Sequence, residues 1–219
     1  MTNFLTKVVV SSAFVLSGIS FVAANASAAA ISGFGRPLAA ISGGTVIDFE
    51  TAPSGNFANI TVGNVTFTGV GAPLTIGSDY SGQYNNPGKS IYNDFDYAPN
   101  QFRFDFGSTV NAFAFNFGAS NSPWRLNSFD VGGNLLDSTI IAPTLASNRG
   151  DYFGISANGI KYATLVEQGS GDYVFIDNFT SRSADNATAV PEPFTIVGTL
   201  IGGTAALRMR KKIKDTNKM

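Results

Sequence analysis

The chain reads as an all-β protein, an antiparallel β-sandwich of jelly-roll type, and three observations predict it. Phe102, Phe104 and Phe106 alternate with Arg103 and Asp105, the two-residue period of a strand that buries one face. Turn signals rich in Gly, Asn and Ser recur between short apolar runs from residue 45 to residue 180. Between residues 31 and 185 nothing keeps a helical period over several turns. Composition points the same way, with 24 Gly, 19 Phe and only 13% charged residues, a mixture that favours strands and turns over surface helices.

The amino terminus is a different kind of segment. Lys7 is followed by an apolar run over 8–24, which ends in Ala24-Asn25-Ala26 and Ala26-Ser27-Ala28. A basic start, an apolar middle and small residues at alternate positions make a secretory signal peptide, a helix over 1–28 with Ala26 and Ala28 as the cleavage-site residues. Residues 29–44 are small and polar and read as a linker.

The ectodomain is expected over 45–182. Its strands begin with 45–50, closed by Ala52-Pro53-Ser54-Gly55, and continue with 65–68 after Gly63-Asn64 and 74–76 after Pro73. Residues 79–99 form a polar, aromatic loop with an extended stretch at 89–92. Strands 102–106 and 110–117 flank Gly107-Ser108, and so short a link predicts that they pair as a hairpin. Phe113, Phe115 and Phe117 give the second of these strands an alternation of its own. Each buried ring stabilises by roughly 1.5 to 3 kcal/mol, so this hairpin is the expected centre of the core. Further strands follow at 125–131, 134–139, 152–156, 160–167 and 173–180. A linker over 183–190 closes the domain.

The last segment is built to stop in a membrane. Pro191 and Pro193 hold the chain extended and block a helix before Phe194. Residues 194–207 carry no charge, and as a helix they rise roughly 21 Å, a short transmembrane helix against a hydrocarbon core of about 30 Å. Arg208, Arg210, Lys211, Lys212, Lys214 and Lys218, opposed by Asp215 alone, place the tail of 208–219 on the cytoplasmic side. The run Val190-Pro191-Glu192-Pro193, the apolar segment and the basic tail together resemble the PEP-CTERM sorting signal of bacterial surface proteins. The resemblance implies that the membrane holds the chain until an exosortase-type protease cuts near Pro191 to Pro193. The protein would then reach the cell surface or the extracellular matrix. The ectodomain is similar, through Ile47-Asp48-Phe49-Glu50, Gly63-Asn64-Val65-Thr66-Phe67, Phe153-Gly154-Ile155 and Phe175-Ile176-Asp177-Asn178-Phe179, to the sandwiches that precede such signals. That likeness implies a carbohydrate-binding-module-like fold.

Residue types narrow the chemistry. The absence of histidine and cysteine excludes Ser-His-Asp and Cys-His catalysis, disulfides and the usual zinc sites. Between residues 29 and 185 acidic residues outnumber basic ones, thirteen to seven, so nucleic acid is an unfit partner. Calcium is the metal left open, because it takes oxygen ligands. Asp48 and Glu50 share one face if 45–50 is a strand, and Asp177 joins them if the first and last strands lie side by side, as a structural calcium site requires. The competing reading leaves all three as acids facing water at strand ends, and Asp94 and Asp96 match the same spacing.

Tyr84, Tyr92, Tyr97 and Trp124, with Tyr80, fall in loop-like sequence among Asn85, Asn86, Asn93 and Asn121. Aromatic faces stack on sugar rings and amides bond their hydroxyls, so these are the candidate glycan-binding residues; packing and turn formation are their bland alternative. Paired carboxylates for glycoside cleavage do not stand out, as Glu50, Glu167 and Glu192 are the only glutamates. The sequence therefore predicts an exported, non-catalytic surface protein that associates with extracellular polysaccharide. Its rival is a structural envelope protein with no ligand.

Overall fold

The computed structural model describes residues 27–93, 101–169 and 171–183. The expected signal helix with Ala26, the Pro-Glu-Pro segment with its apolar run and basic tail, Tyr97, Asp94 and Asp96 lie outside the described residues. Ala28 directly precedes the first strand. Among the described residues no helix is long and apolar enough to cross a membrane.

Among the described residues twelve strands form, all paired antiparallel: β1 (Ala29–Gly33), β2 (Thr45–Ile47), β3 (Gly55–Phe57), β4 (Asn59–Val62), β5 (Val65–Gly69), β6 (Leu74–Gly77), β7 (Ser90–Asn93), β8 (Gln101–Gly118), β9 (Trp124–Phe129), β10 (Leu135–Ile141), β11 (Tyr152–Glu167) and β12 (Phe175–Ser183). Their hydrogen-bonded network folds over into two layers, and the fold-over lies in β8 and β11. The first half of β8 pairs with β5, Phe102 opposite Gly69 and Phe106 opposite Val65. Its second half pairs with β12. β11 accompanies β8 along both halves, with register shifts between Ser156 and Ile160 and between Ile160 and Tyr162. Both strands thus turn one corner together, as strands that pass from one sheet to the other do at bulges.

One layer runs β4, β5, β8, β11, β9, β10. The other runs β1, β11, β8, β12 and continues through β7, β6 and β3, with β2 sharing the free edge of β12.

The expected hairpin at Gly107-Ser108 is therefore corrected. Residues 102–106 and 110–117 are one strand, and they do not hydrogen-bond to each other. They do face each other across the sandwich: Phe104 meets Phe115 at 5.6 Å and Phe106 meets Phe113 at 5.4 Å between ring centroids. The corner also absorbs the change from even-numbered to odd-numbered Phe, so all six rings point into one core. Likewise 152–156 and 160–167 form the single strand β11, and Asn158-Gly159 is its bend rather than a turn between strands.

Phe179 on β12 sits at the middle of this core. Its ring lies 5.2 Å from Phe67, 5.1 Å from Phe104 and 5.7 Å from Phe115, bridging the layers. A bulge puts it there. Between the pairs Asp177 with Asn116 and Thr180 with Ala114, two residues of β12, Asn178 and Phe179, stand opposite one of β8, Phe115, with Asn178 at φ 47°. The inserted residue turns Phe179 inward beside Ile176, while Phe175 and Asp177 stay on the outer face.

The linker expected over 29–44 is also corrected. β1 pairs with β11, residues Pro37–Ala39 make a short 3-10 turn, and Ile41 is buried with Tyr152, Ala112 and Ala114.

Candidate functional site

The outer face of the second layer carries an aromatic groove. Its floor is a small apolar cluster of Tyr92, Phe175 and Ala119, separate from the main core, against which Tyr84 and Tyr173 pack. Tyr80 lies over it, 5.8 Å from Phe175, 6.3 Å from Tyr173 and 5.7 Å from Tyr84. Asn121 and Leu145 complete the walls of a hollow of about 390 Å³, within the size range of small-ligand sites. Tyr80 is 52% exposed and Leu145 45%, so ring and aliphatic surface are open to a ligand.

The loop that presents Tyr80 and Tyr84 is held against its own preference. Tyr80, Tyr84 and Asn85 take φ of 53°, 52° and 61°, and Ala119 on the facing wall takes 67°. Left-handed backbone is disfavoured in residues with a Cβ, costing on the order of 1 to 3 kcal/mol each, and persists where the surroundings enforce it. The enforcement is visible. Asn85 donates through Nδ2 to the Phe117 carbonyl at 3.0 Å, and its Oδ1 accepts from the Gly150 N–H at 2.9 Å. Its own N–H reaches Asn148 Oδ1 at 2.9 Å. Asn86 Nδ2 donates to the Asp79 carbonyl, and the Tyr92 hydroxyl donates to Asp79 Oδ2 at 3.1 Å. Gly118 is needed underneath, because a Cβ there would lie 1.4 Å from the Tyr84 carbonyl oxygen.

A buried carboxylate fixes the facing wall. Asp172 accepts from the backbone N–H groups of Asn121, Ser122 and Tyr173, from the Ser122 hydroxyl and from the Trp124 indole at 2.9 Å. Ser120 and Thr144 bond each other through side chain and backbone, which seats Leu145 beside the groove. Ser122 also donates to Glu167, yet both carboxyls are buried and turned to protein donors. This is the arrangement of a wall support.

The candidate glycan residues therefore separate. Tyr84 lies in the groove. Tyr92 lies beneath it, buried with its hydroxyl on Asp79. Trp124 is a correction: it is 0% exposed, packed on Phe102 and Phe117 with its N–H on Asp172, and it has no face for a sugar. Its place at the head of β9 puts the ring into the core. Tyr173, two residues before β12, lines the groove although its sequence context reads as strand.

Of the acidic residues, β2 does run beside β12, Ile47 opposite Phe179, which brings the segments bearing Asp48 and Asp177 together. The shared strand face of Asp48 and Glu50 does not form, because β2 ends at Ile47 and Phe49 takes φ 58°. Glu50 Oε1 accepts the Lys89 N–H at 2.8 Å, and Asp48 Oδ1 accepts the Glu50 N–H. Asp177 is 2% exposed and accepts the Asn178 N–H at 2.6 Å. Burial, with the charges of Glu50 and Asp48, pushes its carboxyl up to about 7 against the opposing pull of the Asn178 N–H and, less, of Arg36. Among the described residues no group of three acidic side chains is placed to hold a metal ion.

No protein-family profile matches the chain, and no curated protein sequence matches it. Among solved structures it is similar to a family 29 carbohydrate-binding module in complex with mannohexaose, at 14% identity and TM-score 0.43, over 65% of this chain and 94% of that one. It is similar to a family 61 module in complex with β-1,4-galactotriose, at 16% identity and TM-score 0.33, over 63% and 99%. It is similar also to the enzymatically active domain of tailspike protein 4 of bacteriophage CBA120, at 16% identity and TM-score 0.36, over 56% and 20%. Each likeness is distant, at values too low to carry a residue's role from one chain to the other.

Proposed function

We propose that this chain is an exported, non-catalytic protein of the cell surface or extracellular matrix that binds polysaccharide through the groove of Tyr80, Tyr84 and Tyr173. One observation carries the binding reading. Tyr80, Tyr84 and Ala119 are held in left-handed backbone that residues of their type rarely adopt, and all three border an open hollow floored by aromatic rings. Stacking of a sugar ring on tyrosine, with Asn121 beside it for hydroxyls, is the chemistry this surface suits. The sequence supports the export half: the signal peptide at 1–28 and the Pro-Glu-Pro segment with its basic tail at 190–219. An exosortase-type protease and the membrane are the partners that this second signal implies.

Affinity electrophoresis of the full-length chain through gels containing mannan, galactan and glucan tests the binding reading. Retardation by at least one polysaccharide, lost in Tyr80→Ala, is expected. Mobility unchanged in every gel, with normal surface display of the protein, would favour the structural envelope reading instead. Mass spectrometry of the protein from native cells tests processing, with a carboxyl terminus near Pro191 to Pro193 as the expected result and retention of Met219 as the opposing one.

A further inference from the structure

The same outer face holds a second hollow, which shares the 78–87 loop with the groove and has a volume of about 400 Å³. Its wall is made largely of asparagines: Asn85, Asn86, Asn116, Asn148 and Asn178. Their amide nitrogens are turned into the protein. Asn116 Nδ2 donates to the carbonyls of Gly35 and Gly150, Asn178 Nδ2 to Asn116 Oδ1, Asn148 Nδ2 to the Gly82 carbonyl, and Asn85 and Asn86 to the carbonyls of Phe117 and Asp79. The oxygens are less engaged. Asn86 is 1% exposed and, among the described residues, its Oδ1 has no hydrogen-bond partner, a buried acceptor beneath the wall. No hydrogen bond among the described residues reaches Asn178 Oδ1, and Asn178 is the residue that the β12 bulge inserts.

The hollow also has a cation. Arg36 is exposed on its wall and, among the described residues, makes no ion pair, whereas its neighbour Arg149 is paired with Asp151 and stacked 4.0 Å from the Phe34 ring centroid. A spare acceptor in the wall, Asn178 Oδ1, and a spare guanidinium at its edge call for a ligand with a hydroxyl donor and an anionic group.

We infer that the asparagine hollow is a second binding site on the glycan-binding face, and that it takes an acidic sugar residue with a hydroxyl on Asn178 Oδ1 and its carboxylate on Arg36. This deepens the reading given above and depends on it for the polysaccharide. The nearest acids, Asp177, Asp48 and Glu50, oppose an anion, so the preference for an acidic over a neutral sugar is modest, about tenfold, the worth of one charge-assisted hydrogen bond.

Calorimetric titration of the full-length chain with trigalacturonate, with galactotriose and with calcium chloride alone tests it, using Arg36→Gln and Tyr80→Ala. The Arg36 side chain is exposed and enters no hydrogen-bond network, so the first variant keeps the fold. Trigalacturonate is expected to bind about tenfold tighter than galactotriose, with the preference lost in Arg36→Gln and weakened by salt. Equal affinities for the two sugars, an unaltered preference in Arg36→Gln, no binding of trigalacturonate, or calcium binding that is strengthened in Arg36→Gln and displaces trigalacturonate would each overturn it. If Tyr80→Ala weakens both sugars equally and Arg36→Gln changes nothing, the groove stands and the hollow falls. If Arg36→Gln alone removes acidic-sugar binding while Tyr80→Ala has no effect, the hollow stands and the groove falls.

Discussion

Phe104 and Phe115 belong to one unbroken strand, and their rings meet edge to face at 5.6 Å across the core. A strand touches itself in this way only if it leaves one layer, turns a corner and returns in the other. The two layers are thus joined covalently through β8 and again through β11, and Phe179 fills the space between them.

Phe179→Ala should be the most damaging single truncation in the core. It removes a fully buried ring stacked between both layers, and a loss of about 3 to 5 kcal/mol is expected in urea denaturation. Phe34→Ala, at a ring open to solvent, should cost well under that. Similar midpoints for the two variants would mean that the layers do not meet at Phe179.

Asp177 gives the fold a pH dependence of definite sign. Its folded carboxyl is raised to about 7, above the ordinary carboxylate range, so the folded state holds the proton more tightly than the unfolded chain. Stability contributed by this group is complete at low pH, falls as pH rises from about 4 towards 7, and is level above that. Asp177→Asn should abolish the slope and be more stable at pH 8 by on the order of 2 to 4 kcal/mol, while differing little at pH 4. Denaturation midpoints at the two pH values check this, and parallel slopes for both proteins would refute it.

Gly118→Ala separates the loop from the scaffold. The new methyl collides with the Tyr84 carbonyl, so the 78–87 loop must lift. Binding to whichever polysaccharide retards the parent chain should weaken at least about tenfold, with a stability loss of about 1 to 3 kcal/mol. Amide exchange should rise within 78–87 and not in β8. Unchanged binding would show that the groove does not need the loop where it lies.

Trp124 reports on the core and not on the ligand. It is the single tryptophan, so intrinsic emission should be blue-shifted, resistant to iodide quenching and indifferent to bound glycan. Trp124→Phe should keep binding and cost about 1 to 3 kcal/mol, for the donor withdrawn from Asp172 and the ring volume lost. Quenching by a polysaccharide would restore the ring to the binding surface.

The alternation of Phe102, Phe104 and Phe106 was legible because it follows from one buried face, a local property. The hairpin was not. Gly107-Ser108 has the same turn chemistry whether the chain reverses within a sheet or bends from one sheet to the other, and the difference lies in β11, far along the sequence. β1 was hidden for a related reason. Ala29–Gly33 has little intrinsic strand character and is extended only because the edge of β11 is there to receive it. At the site, loop aromatics were visible as a class. Whether a ring faces a ligand or the core depends on what its polar atom finds, and Asp172, which captures Trp124, is distant in sequence. The strained φ values that mark the groove leave no trace in residue type, since tyrosine and alanine rarely take them.

β12 is bonded to β8 along one edge and to β2 and β7 along the other, and it is the last described strand before the chain runs on past Ser183. Tension drawn through the following residues enters the domain along that strand's axis. Antiparallel hydrogen bonds lie across the axis, so the load falls on them together, in shear, and cannot open them one by one as it would at an edge. Under such a load β12 cannot slide free until Phe179 has left the space between the layers.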